Sequence, residues 1–367
     1  MLNFAQLKSI IDLNSYTKNK AGVDQNGAVF RAWMEQLGYI TEVFRREHIG
    51  DHLLFTSRYN SALPRVLLLG HLDTVFPPNS FEGFREDSDW VYGPGVCDMK
   101  GGNIVALESL KAVRLAHGGL ANIDMLLVSD EESGSDDSKY LSAELAKNYD
   151  ICLVFEAAGA EHEVVTERKG VGTFTIHFEG KAAHAGNHYA DGCNANLAAA
   201  QMLIALTDLT DLAAGSTVNV GKISGGIGAN TISPKASIVV ELRYTQIKER
   251  DRLLAGLERI VAEPKVAGVI ASLEGGIQRD VMQASAEQAE LLSTIAEILD
   301  YPLKTEKRGG VSDANIVSSA GVATLDGFGP YGDGDHTVHE RASKQSFVRR
   351  IDEVTKILLA FNANASL

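Results

Sequence analysis

Short apolar runs alternate with helical patterns at both ends of the chain. Residues 67–69, 125–128 and 151–155 form short, continuous apolar runs, which are typical of strands buried on both faces of a mainly parallel sheet. A helical pattern over residues 102–117 lies between the first two runs. This alternation predicts an α/β fold with a mainly parallel sheet and helices on both faces.

The pattern changes at residue 170, where apolar and polar residues begin to alternate as in a half-buried strand. After this strand, the spacing predicts a helix, two strands, a second helix and a last strand. These elements cover residues 194–206, 217–223, 236–243, 248–262 and 268–273. The resulting order, β-α-β-β-α-β, is that of a ferredoxin-like α+β domain, which is complete in itself. A helical pattern over 285–299 marks the return to the α/β part.

The chain length supports two domains. A single hydrophobic core usually stops growing at about 250–300 residues, and this chain has 367 residues. We therefore predict an inserted domain over 168–279 and a discontinuous α/β domain formed by 1–167 and 280–367. The apolar fraction of 45 % and the charged fraction of 22 % are those of an ordinary globular protein.

The net charge argues against some classes of partner, and the cysteine content indicates the cellular compartment. The formal net charge of −14 argues against a nucleic-acid partner, because phosphate neutralisation needs an excess of basic residues. No run of about 18 apolar residues occurs, so we expect no membrane span and no membrane partner. The cysteines Cys97, Cys152 and Cys193 are odd in number and not closely spaced, which favours a reduced, cytoplasmic location.

Polar, metal-competent residues follow each of the three predicted buried strands. The first strand leads into His71 and Asp73, the second into the acidic segment 130–132, and the third into Glu156. Because the carboxyl ends of parallel strands meet at one edge of a sheet, we expect these side chains to share one crevice. Each segment alone is typical of a polar strand end or a solvated charge run, so the hypothesis of a site depends on their convergence.

Two further segments add to this set. The glycine-rich segment 93–102 holds Asp98 just before a predicted helix, but it lacks the sequence patterns of a P-loop and of a dinucleotide site. The segment 332–340 contains His336, His339 and more carboxylates. Imidazole and carboxylate donors without thiolate are what two zinc ions, or another borderline to hard divalent metal, would take.

Six ordered segments resemble the signatures of the di-zinc metallopeptidase family that includes bacterial glutamate carboxypeptidase, aminoacylase, acetylornithine deacetylase and succinyl-diaminopimelate desuccinylase. The six segments are 70–75, 93–102, 130–135, 155–156, 184–186 and 336–337. They cover almost the whole chain, and the inserted domain falls where this family has its lid. Segments 93–102 and 155–156 are most similar to the glutamate carboxypeptidase branch.

The resemblance implies a site for two metal ions in each subunit. Asp98 would bridge the two ions, His71 and Glu156 would complete the ligands of one ion, and Glu132 and His336 those of the other. The expected ions are two Zn²⁺, with Co²⁺ or Mn²⁺ as alternatives.

The resemblance also implies catalytic roles. Glu131 would be the general base, since neighbouring residues point in opposite directions and one glutamate can bind metal while the other addresses the nucleophilic water. Asp73 would fix the imidazole tautomer of His71. His184 would come from the lid of a partner subunit and steady the oxyanion, so a homodimer through the lid is expected.

Four residues are predicted to bind the substrate. Asn230 and Arg243 match lid residues that hold the substrate carboxylate in the carboxypeptidase branch, and arginine suits this task because its planar fork pairs with a carboxylate bidentately. Gly309 and Gly310 resemble the family's glycine turn beside the substrate, whose N–H groups can meet a carboxylate or an oxyanion.

We therefore predict a zinc-dependent hydrolase that cleaves an amide bond in a small peptide or an N-acyl amino acid. A glutamate-carboxypeptidase-like exopeptidase, with a metal-bridged water and Glu131 as base, is the leading hypothesis. A deacylase of N-acyl amino acids is the alternative, because its substrate also presents a carboxylate. A catalytically silent binding relative is a third hypothesis, and the complete ligand set argues against it. A cysteine-histidine hydrolase is disfavoured because no cysteine lies in a nucleophile turn.

Overall fold

A computed structural model describes residues 3–363 of the chain. Within them the chain forms two compact units. The first unit comprises the chain up to Glu167, Ala284–Arg308 and the chain from Ser312 onward, and the second comprises Arg168–Gln283 and Gly309–Val311. The ends of the predicted α/β domain, residues 1–2 and 364–367, lie outside the described residues.

The secondary-structure elements are numbered in chain order. The strands are β1 (Ile40–Phe44), β2 (His52–Thr56), β3 (Val66–His71), β4 (Arg85–Glu86), β5 (Trp90–Tyr92), β6 (Ile123–Val128), β7 (Ile151–Val154), β8 (Val164–Arg168), β9 (Gly170–Glu179), β10 (Thr217–Gly225), β11 (Lys235–Tyr244), β12 (Ile270–Arg279), β13 (Thr305–Arg308), β14 (Ala323–Leu325), β15 (Gly332–Asp333) and β16 (Arg341–Ser343). The helices are α1 (Ala5–Ile11), α2 (Lys20–Gln36), α3 (Lys100–His117), α4 (Ser138–Ala146), α5 (Ala195–Thr207), α6 (Ile247–Ala262), α7 (Ala286–Leu299), α8 (Asp313–Ser319) and α9 (Lys344–Phe361).

A six-stranded sheet organises the first unit, in the order β1-β2-β6-β3-β7-β14. Strands β6, β3, β7 and β14 are parallel to one another, which confirms the predicted mainly parallel α/β fold. Strand β2 runs antiparallel to β6 and to the edge strand β1, an arrangement that the sequence pattern did not predict. Leu67, Leu68 and Leu69 of β3 are all buried, and since successive side chains point to opposite faces, both faces of the sheet are covered.

Helices and a small sheet complete the first unit. Helix α3 packs against α1, α9 and β3, while α8 packs against α4, β7 and β14. A second, four-stranded sheet has the order β15-β16-β5-β4. Strand β5 comes just before the glycine-rich segment 93–102, whereas β15 and β16 follow it much later in the chain. Among the described residues, no helix combines the length and apolarity that crossing a bilayer requires.

The second unit contains a four-stranded antiparallel sheet in the order β10-β11-β9-β12. Helices α5 and α6 pack against this sheet over a separate core that includes Ile176, Ile238 and Leu253. The chain order β9-α5-β10-β11-α6-β12 with this strand order is the ferredoxin-like arrangement. A role of this unit as lid or dimerisation domain stays a prediction.

The bounds of the second unit differ slightly from the predicted 168–279. The backbones of Arg168 and Met282 exchange two hydrogen bonds of 2.9 and 3.1 Å, which extends the unit to residue 283. The short segment Gly309–Val311 also belongs to it, since Arg243 and Arg168 donate to the carbonyl oxygens of Gly309 and Gly310 at 2.9 and 3.0 Å. Contacts made by such distant segments leave no periodic signal in the sequence.

Candidate metal centre

Five predicted metal ligands lie at the ends of elements of the first unit. His71 is the last residue of β3, and two other ligands follow its parallel neighbours β6 and β7 at the same edge of the sheet. The remaining two lie two positions before the start of α3 and in the loop between β15 and β16. The five residues are His71, Asp98, Glu132, Glu156 and His336.

Asp98 lies between the two histidines. Its Oδ1 is 3.2 Å from Nε2 of His71, and its Oδ2 is 3.2 Å from Nε2 of His336. His71 Nε2 is also 3.7 Å from Oε1 of Glu156, and His336 Nε2 is 3.1 Å from Oε2 of Glu132. Each oxygen of Asp98 therefore faces one histidine-glutamate pair, and these are the same two pairs that the resemblance implies.

Two carboxylates of this cluster, Glu132 and Glu156, have raised pKa values because they are buried close to another acid. Burial and the charge of Asp98 raise the pKa of Glu132 to about 8, and the same two causes raise the pKa of Glu156 well above its usual value. For Asp98, burial favours the neutral acid, but hydrogen bonds with His336 and His71 outweigh it and lower the pKa. Several acids compressed into one buried space favour bound cations.

The pKa values of both histidines in the cluster are raised, which favours their charged forms. Hydrogen bonds with Asp98 and Glu132 raise the pKa of His336 to about 11. Burial disfavours the charged form of His71, but hydrogen bonds with Asp73 and Asp98 outweigh this and raise its pKa well above the usual value. These shifts favour positive charge within the cluster, and the donor set of imidazole nitrogen and carboxylate oxygen fits zinc. The nitrogen and oxygen atoms of His71, Asp98 and Glu132 lie within 4.8 Å of one another.

Asp73 fixes the orientation of the His71 ring. Nδ1 of His71 lies 3.0 Å from the backbone oxygen of Asp73 and 3.4 Å from its Oδ1, so Nδ1 carries the proton and Nε2 is left for the cluster. The other carboxylate oxygen of Asp73 accepts hydrogen bonds from Thr17 Oγ1 at 2.7 Å and from the backbone N–H of Glu132 at 3.2 Å. Asp73 therefore ties the end of β3 to the turn that holds Glu131 and Glu132.

Two glycines, one in β3 and one at the start of α3, allow close packing beside the cluster. A Cβ on Gly70 would lie 2.1 Å from Oδ1 of Asn103, and a Cβ on Gly102 would lie 1.8 Å from the carbonyl oxygen of Phe155. Asn103 donates to the carbonyl oxygen of His71 at 2.7 Å. The start of α3 thus packs against the ends of β3 and β7, which brings Asp98 to the same sheet edge as the other acids.

The predicted base Glu131 and the cysteine Cys97 are both buried. Glu131 is buried in the short turn after β6, next to Glu132, and its charge raises the pKa values of Glu132 and Glu156. Cys97 is buried, and burial together with the charge of Glu340 raises the pKa of its thiol well above the usual value. A thiol held protonated in this way is a poor nucleophile.

His184 of the second unit lies in a tight turn. Its Nδ1 accepts hydrogen bonds from the backbone N–H groups of Gly186 and Asn187 at 3.1 and 3.2 Å. The proton of the neutral ring therefore lies on Nε2, which has no hydrogen-bond partner among the described residues. The N–H of Ala185 donates to the carbonyl oxygen of Asn230 at 2.9 Å, so the predicted residues His184 and Asn230 come from adjacent segments.

The side chain of Arg243 contacts Gly309 in the predicted glycine turn. Its Nη1 donates to the carbonyl oxygen of Gly309 at 2.9 Å, and Nε and Nη2 donate to the carboxylate of Glu241 at 2.7 and 3.3 Å. Glu241 precedes Arg243 by two positions in β11, so both side chains lie on one face of the strand. This pairing was not predicted from the sequence, although the two-residue spacing of Glu241 and Arg243 indicates it.

Residues 67–360 match the model of peptidase family M20/M25/M40, and the chain belongs to this family. The family and the cluster together indicate a metal-dependent hydrolase that acts on amide bonds.

Relatives of known activity include both peptidases and deacetylases. The chain is 26 % identical over 342 residues to carboxypeptidase G2 of Pseudomonas sp. (strain RS-16), covering 90 % of this chain and 82 % of that one. It is 29 % identical over 318 residues to the N-acetyl-L-citrulline deacetylase of Xanthomonas campestris pv. campestris, covering 80 % and 81 %. The solved structure of aminopeptidase PepT from Bacillus cereus superposes with a TM-score of 0.80 at 21 % identity, covering 97 % of each chain, which supports the fold.

Proposed function

We propose that the protein is a zinc-dependent exopeptidase that releases a C-terminal residue, glutamate in the first instance, from a small peptide or an N-acyl amino acid. The placement of Asp98 between two histidine-glutamate pairs carries this proposal. Deacylation of N-acyl amino acids is the alternative, favoured by the similarity to N-acetyl-L-citrulline deacetylase. Both reactions hydrolyse an amide bond beside a carboxylate, so they call for the same chemistry at the site.

Two Zn²⁺ ions fit the donor set. His71, Asp98 and Glu156 would hold one ion, and Asp98, Glu132 and His336 the other, with Co²⁺ and Mn²⁺ accepted by the same donors. When bound, such ions lower the pKa of a water molecule and polarise the scissile carbonyl. Three carboxylates would then face four positive charges, which would offset the burial and the mutual repulsion that raise the pKa values of Glu132 and Glu156.

Glu131 and His184 carry out the proton transfer and the charge stabilisation. Glu131 accepts the proton of the attacking water and returns it to the leaving amine. His184, with its proton on Nε2, donates to the carbonyl oxygen as negative charge develops there. Asp73 contributes by holding the His71 ring in one tautomer.

Substrate binding is assigned to the second unit. Arg243 and Asn230 would hold the carboxylate of the substrate, and the N–H groups of Gly309 and Gly310 would face it. Because Glu241 already occupies two nitrogens of Arg243, a substrate carboxylate would compete with Glu241 for the guanidinium.

A homodimer through the second unit belongs to the proposal, and the surface of that unit supports it. Strand β10 lies at the edge of its sheet and exposes Ile223, while the loop after it exposes Ile227. Helix α5 exposes Leu197 and Ile204 on the same unit. An edge strand flanked by exposed apolar side chains is suited to pairing with a second copy.

A cytoplasmic location is also part of the proposal. Cys97, Cys152 and Cys193 are all free, which suits a reducing compartment.

A substrate panel tests this proposal. The protein is stripped of metal with a chelator, restored with Zn²⁺, and assayed on dipeptides that end in glutamate and on N-acetyl amino acids with apolar side chains. We expect activity only after zinc is restored, with preference for the glutamate dipeptides. Preference for the acetylated amino acids would establish the deacylase instead, and absence of both zinc uptake and turnover would show a silent binding relative.

A further inference from the structure

Glu340 holds the backbone of the segment that carries Asp98. Its side chain is buried, and its Oε2 accepts the N–H of Gly95 at 3.0 Å. Its Oε1 accepts the N–H groups of Cys97 and Asp98 at 3.0 and 3.1 Å, and the Cys97 thiol lies 3.4 Å from the same oxygen. A single carboxylate thus binds three backbone donors within four consecutive residues.

Contacts with other parts of the chain must hold the conformation of this segment. Gly93 and Gly95 both have positive φ, at 146° and 86°, a region where only glycine is free of steric strain. A chain of this composition has many accessible conformations in the unfolded state, so contacts must select the native one. Backbone N–H groups that are shielded from water need hydrogen-bond acceptors, and Glu340 accepts from three of them in this segment.

Glu340 also belongs to the same short segment as a candidate ligand. It follows His336 by four positions, and its N–H donates to the carbonyl oxygen of Thr337 at 3.2 Å, which closes the turn between them. A Cβ on Gly332 would lie 2.4 Å from Cβ of Cys97, so the two segments touch with no room for a side chain. The segment that holds His336 and Glu340 therefore packs directly against the segment that carries Asp98.

We propose that Glu340 is a positioning residue of the metal centre, which fixes the backbone of Asp98 so that its two oxygens face His71 and His336. The inference rests on the proposed metal centre. Outer groups that orient metal ligands typically change metal affinity by about 10- to 100-fold when they are removed. Glu340 is expected to act at this level through the backbone, without touching a metal ion.

The test compares Glu340→Gln with Glu353→Gln in the full chain. Glu353 is an equally buried glutamate of the first unit, but it binds Tyr301, Arg349 and Arg350 away from the cluster. Zinc affinity is measured by competition with a chromophoric chelator, and the Co²⁺-substituted proteins are compared by their visible absorption. Circular dichroism and thermal melts first establish that each variant is folded.

We expect Glu340→Gln to bind at least one zinc ion about 10- to 100-fold more weakly and to alter the Co²⁺ spectrum, while Glu353→Gln lowers the melting temperature alone. Wild-type zinc affinity and spectrum in a folded Glu340→Gln protein would overturn the inference. If that variant does not fold, Glu340→Asp replaces it, with the same expectation because its shorter carboxylate displaces the loop. If neither folds while Glu353→Gln does, Glu340 is a requirement of the fold and the inference is wrong. Failure of the wild type to bind zinc would instead refute the proposed function.

Discussion

Oδ2 of Asp98 lies 3.2 Å from Nε2 of His336, although one residue precedes α3 and the other lies near the C-terminal helix α9. The second oxygen of Asp98 is at the same distance from His71. One carboxylate therefore joins the end of the parallel sheet to a loop that follows much later in the chain. Loss of this carboxylate should affect both histidine-glutamate pairs at once, whereas loss of an outer ligand should affect one.

The role of Glu131 can be separated from metal binding. We expect Glu131→Gln to retain zinc and to lower kcat by about 10²- to 10⁴-fold, since the amide cannot accept the proton of the attacking water. Metal content is measured beside steady-state kinetics. Glu144→Gln is the control, because Glu144 is an exposed glutamate of α4 paired with Lys147. Unchanged turnover in Glu131→Gln would rule out its assignment as the base.

Asp73 should matter for metal binding through the His71 ring. In Asp73→Asn, the amide can present an N–H to Nδ1 and favour the wrong tautomer, so we expect zinc affinity to fall by about 10- to 100-fold. Thr17→Val removes only the 2.7 Å hydrogen bond that Thr17 donates to Asp73, and a smaller loss is expected. Equal zinc affinities in all three proteins, measured by chelator competition, would show that Asp73 does not orient His71.

The pairing of Arg243 with Glu241 predicts opposite effects on substrate affinity. Arg243→Lys loses the planar fork, so KM for a substrate with a free carboxylate should rise by about 10-fold or more. Glu241→Gln frees the guanidinium from a half-exposed ion pair, and KM should fall by about 2- to 5-fold.

Substrates whose carboxylate is converted to an amide provide the control for both variants. Their KM values should change little in either variant. If Arg243→Lys raised KM equally for acid and amide, Arg243 would act on the fold of the second unit and not on the carboxylate.

His162 gives stability a pH dependence away from the metal cluster. Burial lowers the pKa of His162 to about 4, aided by the charges of Arg349 and Arg350. Between pH 4 and the usual histidine value near 6.5, the unfolded chain binds more protons than the folded one. The free energy of unfolding therefore falls as the pH is lowered through this range.

Replacement of His162 by asparagine should reduce this dependence. Asparagine tolerates the positive φ of 65° found at His162. We expect the melting temperature of His162→Asn to drop less between pH 6.5 and 4.5 than that of the wild type. His48→Asn changes an exposed histidine and serves as the control. Identical pH slopes in the wild type and His162→Asn would contradict this account of the half-buried ring.

The parallel sheet was readable from the sequence because its strands are buried on both faces and leave continuous apolar runs. The acids and His71 could be connected to it because they directly follow those runs, and parallel strands end at one edge. The antiparallel β1 and β2 were not predicted, since β1 has no buried residue and leaves no apolar run beside the buried β2.

Other features of the site were harder to predict from the sequence. Glu340 looked like one more acid in a polar loop, and only the folded chain shows that it is buried and binds backbone N–H groups. The close packing of α3 on the sheet at Gly70 and Gly102 was not predicted either. Both features depend on contacts between distant segments, which composition and periodicity do not encode.

Zinc stoichiometry tests the central claim most directly. Equilibrium dialysis of the metal-free protein against Zn²⁺, followed by elemental analysis, should give two zinc ions per chain for the wild type. Asp98→Asn should lose tight binding of both ions, because the bridging carboxylate contacts both histidine-glutamate pairs, while Glu144→Gln should match the wild type. One zinc ion or none in the wild type, or two tightly bound ions in Asp98→Asn, would contradict a centre bridged by Asp98.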